Sequence, residues 1–231
     1  MTPKTNSRLI ICDFDDTLAL ERDFIKSGYR HVARFLCGKF GGLGECACVQ
    51  IFEEEFRISR QGVFDRSVER IFGAPNQALA LELVEQYRNH FPRLSYQPDV
   101  AEFLRLARER GANTAIITDG NPRTQRNKLE ATGALGDFGA CVITSEFGPD
   151  WAKPSPKAFE FLAEKFGAKF ENMVYIGDNP AKDFAVSAKL PIKTAQIERP
   201  GAVHLSNEYL GAILPHFRIK RLDQIFGCLG F

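Results

Sequence analysis

No apolar stretch in this chain of 231 residues approaches the roughly 20 residues that a membrane-spanning helix requires. Runs such as Leu9-Ile10-Ile11-Cys12 and Ala115-Ile116-Ile117 stop short, and Met1 to Ser7 is polar, without the apolar segment of a secretory leader. An excess of one charge is also missing. Thirty Lys and Arg face 29 Asp and Glu, a net charge of +1, which argues against nucleic-acid or membrane binding through bulk charge. Zinc-type cysteine spacing is absent too. Cys46-Ala47-Cys48 is not C-x2-C and no second pair follows, so Cys37, Cys46, Cys48 and His31 are read as free thiols and a histidine rather than a metal cluster. A chain this size needs no covalent staples, so its six cysteines are expected to be free thiols in a reducing cytoplasm. There is no internal repeat and no low-complexity tract. What is abundant is phenylalanine, at 20 copies, which suggests a core rich in large rings.

Outside residues 20–97, short apolar runs alternate with helical patterns. Strands are expected at 9–12, 115–117, 141–143, 173–176 and 193–197. Between them, Asp99 is expected to cap a helix with the stripe Val100, Phe103, Leu104 and Ala107, ending at Gly111. Asn121-Pro122 starts a second helix that closes near Gly133, and Ser155-Pro156 starts a third, with Phe159, Leu162, Ala163 and Phe166 on its inner face. A fourth is expected after Asn179-Pro180, carrying Phe184 and Ala188. This alternation predicts an α/β core with a doubly wound, Rossmann-like parallel sheet and helices on both faces, which binds ligands at the carboxyl ends of its strands. Residues 20–97 instead read as helices over 22–40, 49–59, 63–72 and 77–91 with no strand between them. The expected organisation is therefore a core of 1–19 and 98–231 interrupted by an all-helical insert at 20–97.

The expected strand ends carry the chemistry. The first delivers Asp13-Phe14-Asp15-Asp16-Thr17, two carboxylates two residues apart facing one crevice, an arrangement that invites a divalent cation or a shared proton. Taken alone, it is equally a capped loop. The second delivers Thr118, then Asp119-Gly120-Asn121-Pro122 leading into a helix, so that a hydroxyl, a glycine and a helix N-terminus form a phosphate cradle. Lys153 precedes another helix start, where the helix dipole disfavours a cation and a local anion is needed to hold it. The fourth delivers Gly177-Asp178, with Asp183 one helical turn further on.

In this order, Asp13-x-Asp15-x-Thr17, Thr118, Lys153 and Gly177-Asp178-(x4)-Asp183 resemble the phosphatase branch of the haloacid dehalogenase (HAD) superfamily over nearly the whole chain. The helical insert is similar to that family's C1-type cap. The resemblance implies a two-step phosphoryl transfer in which Asp13 is the nucleophile and forms an aspartyl-phosphate. Asp15 would protonate the leaving oxygen and then deprotonate water. Mg²⁺ would be held by the carboxylates of Asp13 and Asp178 and by the backbone carbonyl of Asp15. Thr118, Asp119, Gly120 and Lys153 would bind the phosphoryl oxygens, Asp183 would orient Lys153 or a metal-bound water, and Thr17 would stabilise the loop after the nucleophile. Members that dehalogenate lack the second carboxylate, so Asp15 favours phosphate chemistry on a small phosphorylated metabolite. Arg22, Lys26, Arg30 and Arg60 in the cap are candidates for substrate contact, set against the plainer reading of a solvated face. Phe52 and Phe56 are read as cap core, and His90, His204 and His216 as surface or capping residues. A phosphomutase, or a non-catalytic binding protein on the same fold, are the alternatives.

Overall fold

The structure, a computed structural model, describes residues 7–203 and 207–230; the expectation for His204 lies outside them. Six strands, β1 (Leu9–Cys12), β2 (Asn113–Thr118), β3 (Ala140–Ile143), β4 (Met173–Gly177), β5 (Lys193–Ile197) and β6 (Phe217–Ile219), form one sheet ordered β3-β2-β1-β4-β5-β6. Every neighbouring pair is parallel. β1 lies inside the sheet, with Ile11 paired to Ala115 on one side and Tyr175 on the other. The direction of winding reverses beside β1, and ligands of doubly wound sheets gather at such a point, outside the strand C-termini.

A parallel sheet covered on both faces needs strands that are apolar throughout, and all four residues of β1 are buried. Alternation sends Leu9, Ile11, Ala115, Ile117, Met173 and Tyr175 to one face, where they pack with Phe159 and Leu162 of α8 (Lys157–Phe166). Phe159 meets Tyr175 edge-on at 5.1 Å between ring centroids, a contact that ties the core to the site described below. Elsewhere in this unit, Phe103 of α5 (Val100–Glu109) pairs with Phe226 of α9 (Ile225–Leu229) at 5.8 Å.

Between β2 and β3 lie α6 (Pro122–Thr132) and the single turn α7 (Ala134–Asp137). α6 has the expected punctuation: the Asn121 side chain accepts from the Thr124 N–H, Pro122 opens the helix and Gly133 closes it at φ 82°. Asp99 does not cap α5 through its side chain. Its carboxylate instead accepts from the Arg199 guanidinium at 2.9 Å and the Leu222 N–H at 2.7 Å. After β4 the expected helix is only a 3-10 turn, Ala185–Ala188. Pro191 follows too closely for the chain to keep winding. β6 was not expected, because three residues with an exposed Arg218 in the middle give too short an alternation to read.

Residues Asp23–Arg93 form a second compact unit. Its described elements are helical: α1 (Glu21–Lys39, which begins just before the unit), α2 (Glu45–Ile58), α3 (Val63–Phe72) and α4 (Gln77–Asn89). The interior is aromatic. Tyr29 contacts Phe52, Phe64 and Tyr87 at centroid distances of 5.5, 6.1 and 5.9 Å. Tyr29 is therefore core. The rings explain much of the phenylalanine count. His90 is buried rather than on the surface, and it caps: it stands at the C-cap of α4, its Nδ1 2.6 Å from the Tyr87 carbonyl and its ring against Phe24. In the sheet unit, His216 also caps: its Nδ1 accepts from the Thr194 N–H at the start of β5.

Candidate active site

The ends of β1 and β4 place Asp13 and Asp178 beside one another, both at most 8% exposed. The Asp13 N–H continues the ladder by donating to the Ile176 carbonyl, so the sheet itself fixes where this carboxylate leaves the backbone. Lys153 reaches the same point from the loop before α8. Its Nζ lies 2.7 Å from Asp13 Oδ1, 2.9 Å from Asp183 Oδ1 and 2.8 Å from the Tyr175 hydroxyl oxygen. The Tyr175 hydroxyl donates in turn to Asp183, whose other oxygen accepts from the Asn179 N–H. Asp183 comes this close because residue 177 is glycine: a Cβ there would collide with the Asp183 carboxylate.

Asp183 is thus fully engaged by protein donors. Asp178 is not: its Oδ2 is buried and has no hydrogen-bond partner among the described residues. Carboxylate oxygens of Asp13, Asp178 and Asp183 lie within 4.8 Å of one another, the one grouping of potential metal ligands among the described residues. The cysteines near His31 form no such group. An unpartnered buried carboxylate oxygen beside two further carboxylates fits a hard divalent cation, which takes oxygen ligands and offsets the repulsion.

The electrostatics follow from this crowding. Burial raises the Asp178 carboxyl to about 9, with Asp183 and Asp13 adding to the effect. Burial likewise raises Asp13, to about 6, against the pull of Lys153. Lys153 is pushed up as well: burial opposes its charge, but Asp13, Asp183 and Asp119 outweigh it. The two shifts are compatible, because one cation serves several anions. Each anion is under-compensated while the cation is over-compensated. Cys12 is pushed up by burial and belongs to the core.

The folded chain holds a proton on Asp178 that the unfolded chain has released above pH 3.8, so unfolding without metal releases a proton. Stability from this group is complete below that value and is lost as pH rises toward about 9. In EDTA the melting temperature is expected to fall between pH 5 and pH 9, and Asp178→Asn to flatten that slope. A wild-type slope retained by Asp178→Asn would contradict the assignment.

The other expected residues divide by what their side chains touch. Thr118, at the end of β2, is buried, and its Oγ1 accepts from Gln125 Nε2 at 2.6 Å. Gly120 sits at φ 131°, open to glycine and strained for other residues. The Asp119 carboxylate is already taken by the Thr144 hydroxyl (2.7 Å), the Lys153 N–H (3.2 Å) and Lys182 Nζ (3.2 Å). Burial opposes its charge, yet Lys153 and Lys182 hold the carboxyl below its ordinary value. A carboxylate so engaged has nothing to donate to phosphate, which leaves Asp119 only its backbone N–H for that role. Asp15 is held by Lys128 Nζ at 2.7 Å and Gln125 Nε2 at 3.0 Å. Thr17 is buried, and its carbonyl accepts from Arg199 Nε and Nη2 at 3.0 and 2.8 Å. Arg22, Lys26 and Arg30 are exposed on α1, and the exposed Arg60 lies over the Phe56 ring at 5.8 Å.

Sequence reasoning missed Tyr175, Lys182, Gln125 and Lys128. A tyrosine at an inward position of an otherwise aliphatic strand signals a hydroxyl in need of partners. The signal in α6 is its poverty in large apolar residues, since Leu129 is the one such side chain on its buried face.

The model of the haloacid dehalogenase-like hydrolases matches residues 8–188. A phosphoserine phosphatase of Thermus thermophilus is 33% identical over 140 residues, 61% of this chain but only 55% of that protein; the matched stretch spans about half of its length. A glyceraldehyde 3-phosphate phosphatase of Methanopyrus kandleri is 29% identical over 198 residues, covering 83% of this chain and 84% of the other. Among solved structures, a HAD family hydrolase from Deinococcus radiodurans R1, with bound phosphate and sodium, superposes with a TM-score of 0.67 at 18% identity. It covers 98% of this chain and 96% of that one, a likeness of fold.

Proposed function

Because this chain belongs to the haloacid dehalogenase-like hydrolase family, we propose that it hydrolyses phosphomonoesters of small metabolites through an aspartyl-phosphate on Asp13. The observation that carries this reading is the buried Asp13–Lys153 pair at the end of β1, with the unpartnered Asp178 oxygen beside it. A carboxylate attacking a phosphate dianion meets strong repulsion, and Lys153 supplies a fixed positive charge within hydrogen-bond reach of Asp13. In the first step an Asp13 oxygen bonds to phosphorus, the ester P–O bond breaks, and the departing oxygen takes a proton from Asp15. In the second, Asp15 removes a proton from water, which displaces the phosphoryl group and returns Asp13 as carboxylate.

Thr118 and the Gly120 turn at the start of α6 would receive phosphoryl oxygens, as helix N-termini do. Asp13, Asp178 and the Asp15 carbonyl would hold Mg²⁺, which when bound supplies positive charge against both the clustered carboxylates and the phosphoryl oxygens. The names of the relatives, phosphoserine and glyceraldehyde 3-phosphate phosphatases, support a small phosphorylated substrate. Asp15 separates this chain from carbon–halogen chemistry, which has no leaving oxygen to protonate. We read the helical unit as the cap that selects the substrate, with Arg22, Lys26, Arg30 and Arg60 as the cations to test.

The test is phosphate release from phosphoserine, glyceraldehyde 3-phosphate, sugar phosphates, phosphoglycolate, nucleoside monophosphates and p-nitrophenyl phosphate, with Mg²⁺ and with EDTA. Turnover on one or more of these is expected with Mg²⁺ and not with EDTA. Equal rates in EDTA, or no turnover together with no beryllofluoride binding at Asp13, would remove the reading.

A further inference from the structure

Gln125 and Lys128 of α6 are 2% and 3% exposed, and the chemistry described so far gives neither of them a role. They stand at i and i+3, on the same side of the helix. Burying an ammonium and an amide there has a desolvation cost that an aliphatic residue would avoid, so what they touch matters. Lys128 Nζ lies 2.7 Å from Asp15 Oδ1, and Gln125 Nε2 lies 3.0 Å from Asp15 Oδ2. The same Gln125 nitrogen lies 2.6 Å from Thr118 Oγ1. An amide nitrogen carries two hydrogens and accepts none. With one directed to Asp15 and the other to Thr118, the Thr118 oxygen is an acceptor in this contact. Its own hydroxyl hydrogen is then left to be donated elsewhere. Both oxygens of Asp15 meet donors fixed on one rigid helix.

We infer that Gln125 and Lys128 are positioning residues: a clamp on α6 that aims the Asp15 carboxylate for proton transfer and turns the Thr118 hydroxyl hydrogen toward a phosphoryl oxygen. The inference rests on the assignment of Asp15 as the acid–base group. A bare tether between α6 and the loop after β1 would use the same contacts, but it would behave differently. A tether slows every substrate alike, whether or not its leaving group needs a proton. A clamp acts only through Asp15 and Thr118.

Lys128→Met separates the two. Without the clamp both proton transfers suffer, but p-nitrophenolate leaves without protonation, so its release in the first step is spared while the second step slows. For a substrate whose leaving oxygen needs a proton, the expected result is a fall in kcat of about 10²-fold, the lower end of what general acid–base catalysis contributes, with KM changed by less than about threefold; with p-nitrophenyl phosphate only the second step slows, so KM should fall along with kcat. With p-nitrophenyl phosphate a burst approaching one product per chain should appear. Lys128→Arg should restore most of the rate, and Asp15→Asn/Lys128→Met should be no slower than Asp15→Asn. Gln125→Leu, which leaves the ion pair in place, should weaken competitive inhibition by inorganic phosphate about tenfold, the scale of one lost hydrogen bond. Should Lys128→Met not fold, Lys128→Gln carries the same test.

Losses that multiply in the double variant, no burst, or an unchanged phosphate inhibition constant in Gln125→Leu would overturn the inference. The two levels fail separately. If Asp15→Asn keeps full turnover, the acid–base assignment itself falls. If Asp15→Asn is impaired while Lys128→Met is fully active, only the clamp falls.

Discussion

Asp13→Asn is expected to lower phosphate release by on the order of 10⁴-fold or more, the scale of removing a nucleophile that works as part of a unit. It should leave metal-free thermal stability unchanged or higher. The two effects share a cause. Asp13 is raised to about 6 by burial among acids, so its ionised form is held at a cost that folding has to meet. The asparagine oxygen still accepts from Lys153, and one buried negative charge beside Asp178 and Asp183 is gone. Phosphate release and a melting curve in EDTA, made on the same sample, check this. Substantial turnover, or a marked fall in melting temperature with the activity, would show that Asp13 serves the fold rather than the reaction.

Lys153→Met is expected to damage both properties. The side chain is 1% exposed and serves two carboxylates and one hydroxyl. Removing it strands Asp13 and Asp183 without their cation, and breaking one side of a buried pair costs about 3–5 kcal/mol. For a chain of this length that corresponds to a melting temperature lower by about 10 °C. Phosphate release should fall about 10³-fold, the scale of losing a fixed donor aimed at developing charge. Adding Asp13→Asn to Lys153→Met should return part of the lost stability and none of the activity. A melting temperature unaffected by Lys153→Met would contradict the buried-pair description.

The residues at strand ends were legible because two local patterns coincide there. An apolar run that stops at a carboxylate or a hydroxyl marks both the end of a buried strand and the opening of a crevice, as at Asp13, Thr118 and Asp178. Gln125 and Lys128 were not legible, because their partners stand 110 and 113 residues away in sequence and nothing in the helical pattern names a partner. Asp99 was only partly legible for a related reason: it stands at the N-cap of α5 as expected, but its side chain does not cap. As a cap it satisfies every local rule, but Arg199, 100 residues on, claims its carboxylate. Long-range electrostatics overrode local preference in each case. The short turn at Ala185–Ala188 and the three-residue β6 escaped because so few residues give no period to detect.

The Arg199 contacts also bear on how such a protein can change over evolutionary time. The chain leaves the sheet unit after Arg22 and returns at Leu94. Near those two crossings the Gln97 N–H donates to the Leu18 carbonyl at 2.8 Å, while Arg199 holds the Thr17 carbonyl and Asp99 together. The ends of the inserted segment are therefore stitched to each other by the sheet unit's own residues. What lies between them can be lengthened, shortened or replaced without the sheet losing a hydrogen bond at the seam, as domain insertions generally require. The inserted unit can then be exchanged as a module while Asp13, Lys153 and Asp178 keep their places.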